Sequence, residues 1–416
     1  MGTGQARGLG LRLGASALNH RVLQAVGGRL PRWTGGWMPW LGMRDYPSPA
    51  LPGPDWAVLR PVLAGICGSD TSLLTGRASA TLSPFASFPA ILGHEVLAEV
   101  VEAGSGVDLA PGQRVAVDPV ISCIVRGLES CTSCREGRYA LCLRAAEGDL
   151  APGMLIGYCR DLPGGWSTAM VAHASQLHPV PAAIRDDVAV LVEPLSIVLH
   201  AILLDLPAAE ERVLVIGGGT IGLGTVAALR LTGATADVTV LVRHAFQARL
   251  AERLGATRAV VDRVGDGAIQ AAIATAGARP HAPLVGGPTL TGGFERVYDC
   301  VGSGSSLAAA LSAAGPRGRI TLIGTAFEVR QLDLTLAWAR ELQISGSYLY
   351  GLEPSLPGHP HTFDHLLDLL AIHPELPVGE LVTHRFPLDR WRDALRATTG
   401  RGRHASVKVV FDHRAA

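Results

Sequence analysis

Apolar positions fall into two textures, with a change near residue 205. Before it, Gly and Pro interrupt the chain roughly every ten residues and leave short Val/Ile/Leu runs, such as Glu99–Val101, Arg114–Val117 and Met170–Ala172. That is the pattern of short strands in a β-rich domain. From Arg212 strand and helix patterns alternate. Val213–Ile216 predicts a buried strand, Gly222–Leu231 a helix, Val238–Val242 a second strand, and Ala245–Leu254 a helix that stops at Gly255. Further strands are predicted at Arg296–Tyr298 and Ile320–Ile323, which makes a parallel, doubly wound sheet. The alternation ends near Gly346, and the tail predicts a helix from Thr362 and a return strand at Ser406–Phe411. The simplest α/β architecture has a doubly wound domain at 206–344 set late into a β-rich domain at 47–205. The tail at 345–416 completes the latter, and 1–46 forms an N-terminal extension with the first strands. No internal repeat interrupts this reading.

A chain of 416 residues exceeds the size at which one core usually keeps growing, in agreement with two domains. Apolar content of 48% with 17% charged residues describes a folded globule. The net charge is zero, so nothing advertises nucleic acid or an anionic membrane as a partner. Of 36 Lys and Arg residues one is a lysine, Lys408, which reads as a genomic composition bias. The uncharged run Val213–Leu229 is too short and too rich in Gly for a membrane span. The first 44 residues carry Arg7, Arg12, Arg21, Arg29, Arg32 and Arg44 and no acid. A transit-like leader is one reading and a loosely ordered start the simpler one, so the expected compartment is the cytoplasm. Of the seven Cys, Cys123, Cys131, Cys134 and Cys142 crowd together, as metal ligands do and a disulfide scaffold would not.

The loop Gly217-Gly218-Gly219-Thr220-Ile221-Gly222 follows a buried strand and opens a helix. Gly217 permits a tight turn, Gly219 lets the backbone approach a pyrophosphate, and Gly222 lets helix and strand pack closely, with the helix N-terminus facing the phosphates. In this context the pattern predicts a nicotinamide dinucleotide site that includes Ile221. The acid that normally holds the ribose 2′-hydroxyl is missing after the second strand, where Val242-Arg243-His244 stands instead. Arg243 can pair with a 2′-phosphate, which inclines the reading from NAD towards NADP; otherwise it is a solvated surface arginine.

Cys67, His94 and Glu95, with Glu193 farther on, bring together thiolate, imidazole and carboxylate, the donors of a catalytic zinc site with one open position. By spacing alone, a buried Cys and a satisfied His are the simpler account. The surrounding words alter that. Gly93-His94-Glu95, Pro111-Gly112-Gln113-Arg114-Val115, Gly164-Gly165-Trp166-Ser167, Glu193-Pro194-Leu195, the dinucleotide loop, Tyr298-Asp299-Cys300-Val301-Gly302 and Ile344-Ser345-Gly346-Ser347 fall in one order from about Pro47 to Phe411. Together they resemble the zinc-containing medium-chain alcohol dehydrogenases, particularly the sorbitol, threonine and related polyol branch.

The resemblance implies a GroES-like catalytic domain beside a Rossmann domain, and a homodimer or homotetramer. It implies Cys67 and His94 as zinc ligands, Glu95 as a ligand or a carboxylate just behind one, and Glu193 as an alternative or exchanging ligand. The implied reaction transfers a hydride between a secondary alcohol (polyol, amino alcohol or cyclitol-like) and NAD(P), giving the ketone. Ser69 is similar to the hydroxyl that relays the alcohol proton, its plainer role being to cap a turn. Many members carry a His five residues after the first ligand, where this chain has Ser72. Cys131, Cys134 and Cys142 match the last three ligands of the family's structural zinc lobe; the first would fall at Leu128, and Cys123 takes its place through a longer loop. The competing account of these four is a degenerate lobe of leftover thiols. Two alternatives share the fold: a zinc-free enoyl or quinone reductase, and a non-catalytic nucleotide-binding protein. The Cys67/His94 pair and the Cys lobe oppose the first, and the intact donor set opposes the second.

Overall fold

The computed structural model describes residues 4–12, 18–19, 21–22, 25, 40–262, 265–324, 329 and 331–415. Most of the N-terminal extension, Arg29 and Arg32 included, lies outside them. The chain forms two compact units, one of Met1–Glu193, Tyr350–Ala371 and Val382–Ala416, the other of Pro194–Leu349 and Ile372–Leu381.

The first unit is mainly strand. β1 (Gln5–Leu11) pairs antiparallel with β2 (Leu41–Pro47) and with β4 (Ala90–Ile91). β3 (Trp56–Gly65) is the centre of a seven-stranded sheet. It pairs antiparallel with β5 (Val96–Ala103) along one edge and with β7 (Met170–His173) along the other, while β6 (Arg114–Val117) and β8 (Leu177–Pro179) extend the sheet beyond β5. Side chains on β3 and β5 are buried for most of their length, because clusters built around Leu9, Trp166 and Phe411 and around Leu59, Val115 and Met170 pack on them. Short strands punctuated by Gly and Pro were legible in the sequence; their pairing partners were not.

The second unit has a six-stranded parallel sheet in the order β11-β10-β9-β14-β15-β16. Its strands are β9 (Arg212–Ile216), β10 (Asp237–Val242), β11 (Arg258–Val261), β14 (Phe294–Asp299), β15 (Ala314–Leu322) and β16 (Gln343–Gly346). Val213, Leu214 and Val215 are fully buried on both faces, as a central parallel strand requires, each contributing on the order of 1.5–3 kcal/mol of apolar burial. The helices Thr220–Leu231 and Ala245–Arg253 follow β9 and β10. β15 starts earlier than the apolar run at Ile320 implies, since Ala314 already pairs with Phe294 ahead of a register shift. A small hairpin of β12 (Arg279–His281) and β13 (Thr289–Thr291) has no apolar run to announce it and exists through its own antiparallel pairing.

The tail divides. Ile372–Leu381 joins the second unit, where the turn Val378–Leu381 packs on the helix Thr220–Leu231. β17 (Val382–Phe386) and β18 (Lys408–Asp412) join the first, β18 pairing antiparallel with β3. No helix among the described residues is long and apolar enough to cross a membrane.

Candidate active site

Two strand ends and their turns assemble the first cluster. Cys67 follows β3 and starts the short helix Gly68–Leu74, its backbone N–H donating to Asp70 Oδ2 at 2.9 Å. His94 and Glu95 immediately precede β5, the antiparallel neighbour of β3. One donor atom from each of Cys67, His94 and Glu95 lies within 4.8 Å of the others. Gly65 provides the space, since a Cβ there would stand 1.8 Å from Glu95 Oε2.

β18 adds a residue the sequence reading passed over. Val410 sits opposite Gly65, and this register carries Lys408 Nζ to 2.6 and 2.5 Å from the two oxygens of Glu95 and 3.3 Å from the Ile66 carbonyl. Lys408 is only 3% exposed. Burial is the largest single influence and pulls its pKa down, but Glu95, Cys67 and Glu193 together outweigh burial and leave the ammonium above its ordinary value. Glu95 is thereby engaged on both oxygens. Glu193, in the first turn of the helix Val192–Leu203, is not: Tyr350 Oη donates to its Oε1 at 3.1 Å, while the buried Oε2 has no hydrogen-bond partner. Burial pushes the Glu193 carboxyl well above the usual range, only partly opposed by His94.

A hydroxyl network lies beside these donors. Tyr158 Oη donates its single proton to the Asp70 carboxylate at Oδ1, 3.0 Å away, and accepts from Ser69 Oγ at 3.1 Å, with its ring 5.4 Å from that of His94. Ser69 Oγ is 3.4 Å from His94 Nε2, and His94 Nδ1 is 3.6 Å from Asp70 Oδ1. Ser72 takes no part: its Oγ donates to the Gly68 carbonyl at 2.8 Å, within its own helix.

The donor set suits zinc. Cys67, Glu95, Glu193 and Asp70 are acidic groups around one lysine, and burial pushes the Cys67 thiol up to about 12 and the Asp70 carboxyl above its ordinary value. A buried divalent cation between Cys67, His94 and Glu95, the donors that converge within 4.8 Å, would let the thiol ionise; Glu193, with its partnerless Oε2, is not part of that converging group.

In the second cluster Cys123, Cys131, Cys134 and Cys142 each place a sulfur within 4.8 Å of the other three. Cys123 Sγ stands 3.5 Å from Cys142 Sγ and accepts the Cys131 backbone N–H at 3.4 Å. The longer loop thus delivers Cys123 to the position the sequence left to Leu128. Burial raises Cys142 to about 11; it also opposes ionisation of Cys131, but backbone hydrogen bonds at Cys134 and Leu143 outweigh it and bring that thiol down to about 6. Four convergent sulfurs with no disulfide fit a closed tetrahedral zinc site.

Asp118, His178 and His361 form a third buried group with the spacing of metal ligands. His361 Nδ1 accepts the Phe363 N–H at 3.2 Å and His178 Nδ1 lies 2.7 Å from Asp364 Oδ1, while the buried His178 Nε2 and His361 Nε2, the latter 3.4 Å from Asp118 Oδ2, have no hydrogen-bond partner.

In the second unit the glycine loop lies between β9 and the helix Thr220–Leu231, with Gly219 as its N-cap and Ile221 in the first turn. Gly217 has φ +124°, and a Cβ on Gly222 would stand 1.9 Å from the Gly217 carbonyl oxygen, so both positions need Gly. Arg243 directly follows β10; its backbone N–H donates to Gln247 Oε1 at 3.1 Å and its side chain is exposed.

Tyr158, Tyr350 and Lys408 were missed because each reaches its cluster from a distant segment, whereas Asp70 stands three residues after Cys67 and was passed over in plain view. Of the distant three only Lys408 left a trace, as the sole lysine of the chain.

A β-rich unit with a thiol, imidazole and carboxylate cluster, next in sequence to a parallel sheet with a glycine phosphate loop, defines a zinc-dependent nicotinamide dehydrogenase. Residues 53–182 match the family model of the alcohol dehydrogenase GroES-like domain and residues 220–371 that of the zinc-binding dehydrogenase. The chain is similar to L-idonate 5-dehydrogenase of Vitis vinifera, 30% identical over 89% of this chain and 92% of that protein. It is similar to sorbitol dehydrogenase of Gallus gallus, 30% identical over 89% and 94%. Among solved structures, a zinc-binding dehydrogenase of Sinorhizobium meliloti 1021 bound to NADP superposes with a TM-score of 0.70 at 27% identity, over 98% of this chain and 99% of that one. The chain belongs to the zinc-containing medium-chain alcohol dehydrogenases, in the sorbitol and polyol branch, and is an NAD(P)-dependent zinc alcohol dehydrogenase acting on secondary alcohols.

Proposed function

We propose that Cys67 and His94 hold the catalytic zinc with Glu193 as the third protein ligand, and that Glu95 lies behind them, occupied by Lys408. The observation that carries this choice is the contrast between carboxylates: both Glu95 oxygens meet Lys408, whereas the buried Glu193 Oε2 has no partner. Zinc bound there supplies Lewis acidity, lowering the pKa of an alcohol hydroxyl and polarising a carbonyl. Ser69 relays the alcohol proton: as its Oγ accepts that proton, its own passes to Tyr158 Oη and the phenol's to the Asp70 carboxylate, where a His at position 72 is absent. Asp70 Oδ1 faces His94 Nδ1 at 3.6 Å, too far for a hydrogen bond, and so gives the ring a carboxylate neighbour without a bonded partner. Gly217, Gly219, Ile221 and Gly222 cradle the cofactor pyrophosphate at a helix N-terminus.

The same reading assigns a second, structural zinc to Cys123, Cys131, Cys134 and Cys142, which as free thiols suit a reducing compartment such as the cytoplasm. Arg243, exposed after β10 where an acid would select NAD, favours NADP, the cofactor found in the Sinorhizobium relative. The substrate class is a polyol, amino alcohol or cyclitol-like secondary alcohol. A homodimer or homotetramer is supported by the edge strand β16, exposed along its length, with Trp338 83% exposed nearby in sequence. The catalytic domain is the unit up to Glu193 with Tyr350–Ala371 and Val382–Ala416 of the tail, and the cofactor domain is Pro194–Leu349 with Ile372–Leu381.

The test is zinc content together with a panel of polyols, amino alcohols and their ketones, run with NAD and NADP separately. Cys67→Ser and Glu193→Gln should each lose one zinc per chain and at least about 10²-fold in turnover, whereas Glu95→Gln should retain the ion. Retention of both zinc ions and activity in Cys67→Ser refutes the site; loss of the ion in Glu95→Gln but not Glu193→Gln exchanges the two carboxylates.

A further inference from the structure

The loop that delivers Cys123 carries a charged side chain with no opposite charge of the ordinary kind. Arg126 is 0% exposed and among the largest fully buried side chains of the chain. Its Nη1 donates to the carbonyls of Glu147, Leu150 and Ala151 at 3.0, 3.1 and 3.3 Å, and Nη2 donates to that of Gly153. Its Nε, also buried, has no partner. Among the described residues no carboxylate oxygen lies within ion-pair distance of this guanidinium, unlike Arg296, which is equally buried but meets Asp205 and Glu211. Burial pulls the Arg126 pKa down, and the groups that oppose burial are the thiols Cys159, Cys142 and Cys123, ahead of Asp161.

Burying a guanidinium among carbonyl oxygens meets its hydrogen-bonding needs but leaves its charge uncompensated. Neutral thiols do not supply a counter-charge. Four thiolates around one divalent cation do, because that cluster carries a net charge of about minus two. The backbone ties Arg126 closely to the cluster: its N–H and that of Leu128 both donate to the Cys123 carbonyl, at 3.1 and 2.9 Å. Its own carbonyl accepts the Asp149 N–H at 3.3 Å. The side chain therefore pins the segment 147–153, while the backbone of the same residue belongs to the turn that follows Cys123.

We propose that Arg126 is the built-in counter-charge of a zinc–tetrathiolate site and the positioning residue that lets a ligand loop five residues longer than the family spacing close on the metal. The inference rests on the second-zinc reading above. It predicts a coupling that a purely structural arginine would not produce: the buried charge helps the metal-loaded lobe and opposes the metal-free one.

The experiment measures zinc per chain, chelator competition for the second ion, and thermal melting of the full chain, zinc-loaded and chelator-stripped. The chains are the native protein, Arg126→Met, Arg126→Lys and Cys131→Ser. Arg126→Met should weaken retention of the second ion by about 10–100-fold, the usual effect of removing a group that supports a metal ligand, and leave the first ion unchanged. Its melting temperature should fall further below native when loaded than when stripped, because the lost carbonyl hydrogen bonds cost both states alike. Native-like zinc retention, or an equal or larger fall in the stripped state, overturns the proposal. Should Arg126→Met fail to fold, Arg126→Lys decides: it keeps the charge without the planar fork and should retain the ion better than Cys131→Ser, equal loss overturning the counter-charge role. A Cys131→Ser chain with the native zinc count would mean that the four-cysteine site is empty. That outcome removes the second-zinc reading and this inference together, and is distinguished from failure of the inference alone, in which Cys131→Ser loses an ion and Arg126→Met does not.

Discussion

The Lys408–Glu95 pair gives the most direct test of how the candidate active site is held together. Replacing Lys408 with Met removes the ammonium that both Glu95 oxygens face at 2.6 and 2.5 Å, in surroundings where the two side chains are 4% and 1% exposed. The Glu95 carboxylate then stays buried with no cation. Breaking a buried ion pair by deleting one partner costs about 3–5 kcal/mol, because the remaining charge keeps its desolvation penalty and loses its compensation. For a unit of this size about 2–4 °C of melting temperature corresponds to each kcal/mol, so metal-stripped Lys408→Met should melt roughly 6–20 °C below native. Zinc should recover part of the loss, since a cation beside Glu95 offers the carboxylate another partner. The double variant Lys408→Met/Glu95→Leu, which removes both charges, should melt far closer to native than the sum of the single changes. The pH dependence has a definite sign. The folded-state pKa of Lys408 is raised, so its stabilisation is complete below the unfolded value of about 10.4 and is lost as pH rises through the higher folded value. Calorimetry on the stripped chains checks all of this. A Lys408→Met chain melting within about 2 °C of native would refute the argument that this lysine compensates Glu95.

Two more outcomes follow from the same geometry. In the chelator-stripped chain Cys131, brought down to about 6 by hydrogen bonds, should be alkylated first, whereas Cys67, pushed up to about 12 by burial, should resist. Mass spectrometry after a short iodoacetamide pulse reads the order, zinc should protect Cys131, and Cys67 reacting first would contradict the assigned environments. Gly222→Ala places a Cβ 1.9 Å from the Gly217 carbonyl, so it should weaken cofactor binding by at least about tenfold with little effect on zinc content; native-like affinity by fluorescence titration would show that the loop does not need this close approach.

Local features of this protein were legible in the sequence where the physics is local. The parallel sheet of the second unit announced itself because a strand buried on both faces, as β9 is, must be a continuous apolar run. The glycine loop did so because a positive φ and a close backbone approach leave few other residues possible. The clustered cysteines pointed to a metal for the same reason, since ligands from one short segment carry their own spacing.

What tertiary structure decided is which distant residues share an environment. Glu95 and Glu193 look alike in sequence as candidate ligands. They separate only because β18 returns beside β3 and spends Lys408 on Glu95, leaving Glu193 with an unsatisfied oxygen. Tyr158 reaches Ser69 across 89 residues, and Arg126 finds its carbonyl partners only in the segment 147–153, more than 20 residues on. The sequence by itself determined the class of chemistry, through residue types with few substitutes. The pairing of charges, the choice between carboxylates and the support behind each ligand came from strand register, because burial makes an unpaired charge costly and only the folded chain shows which partner removes that cost.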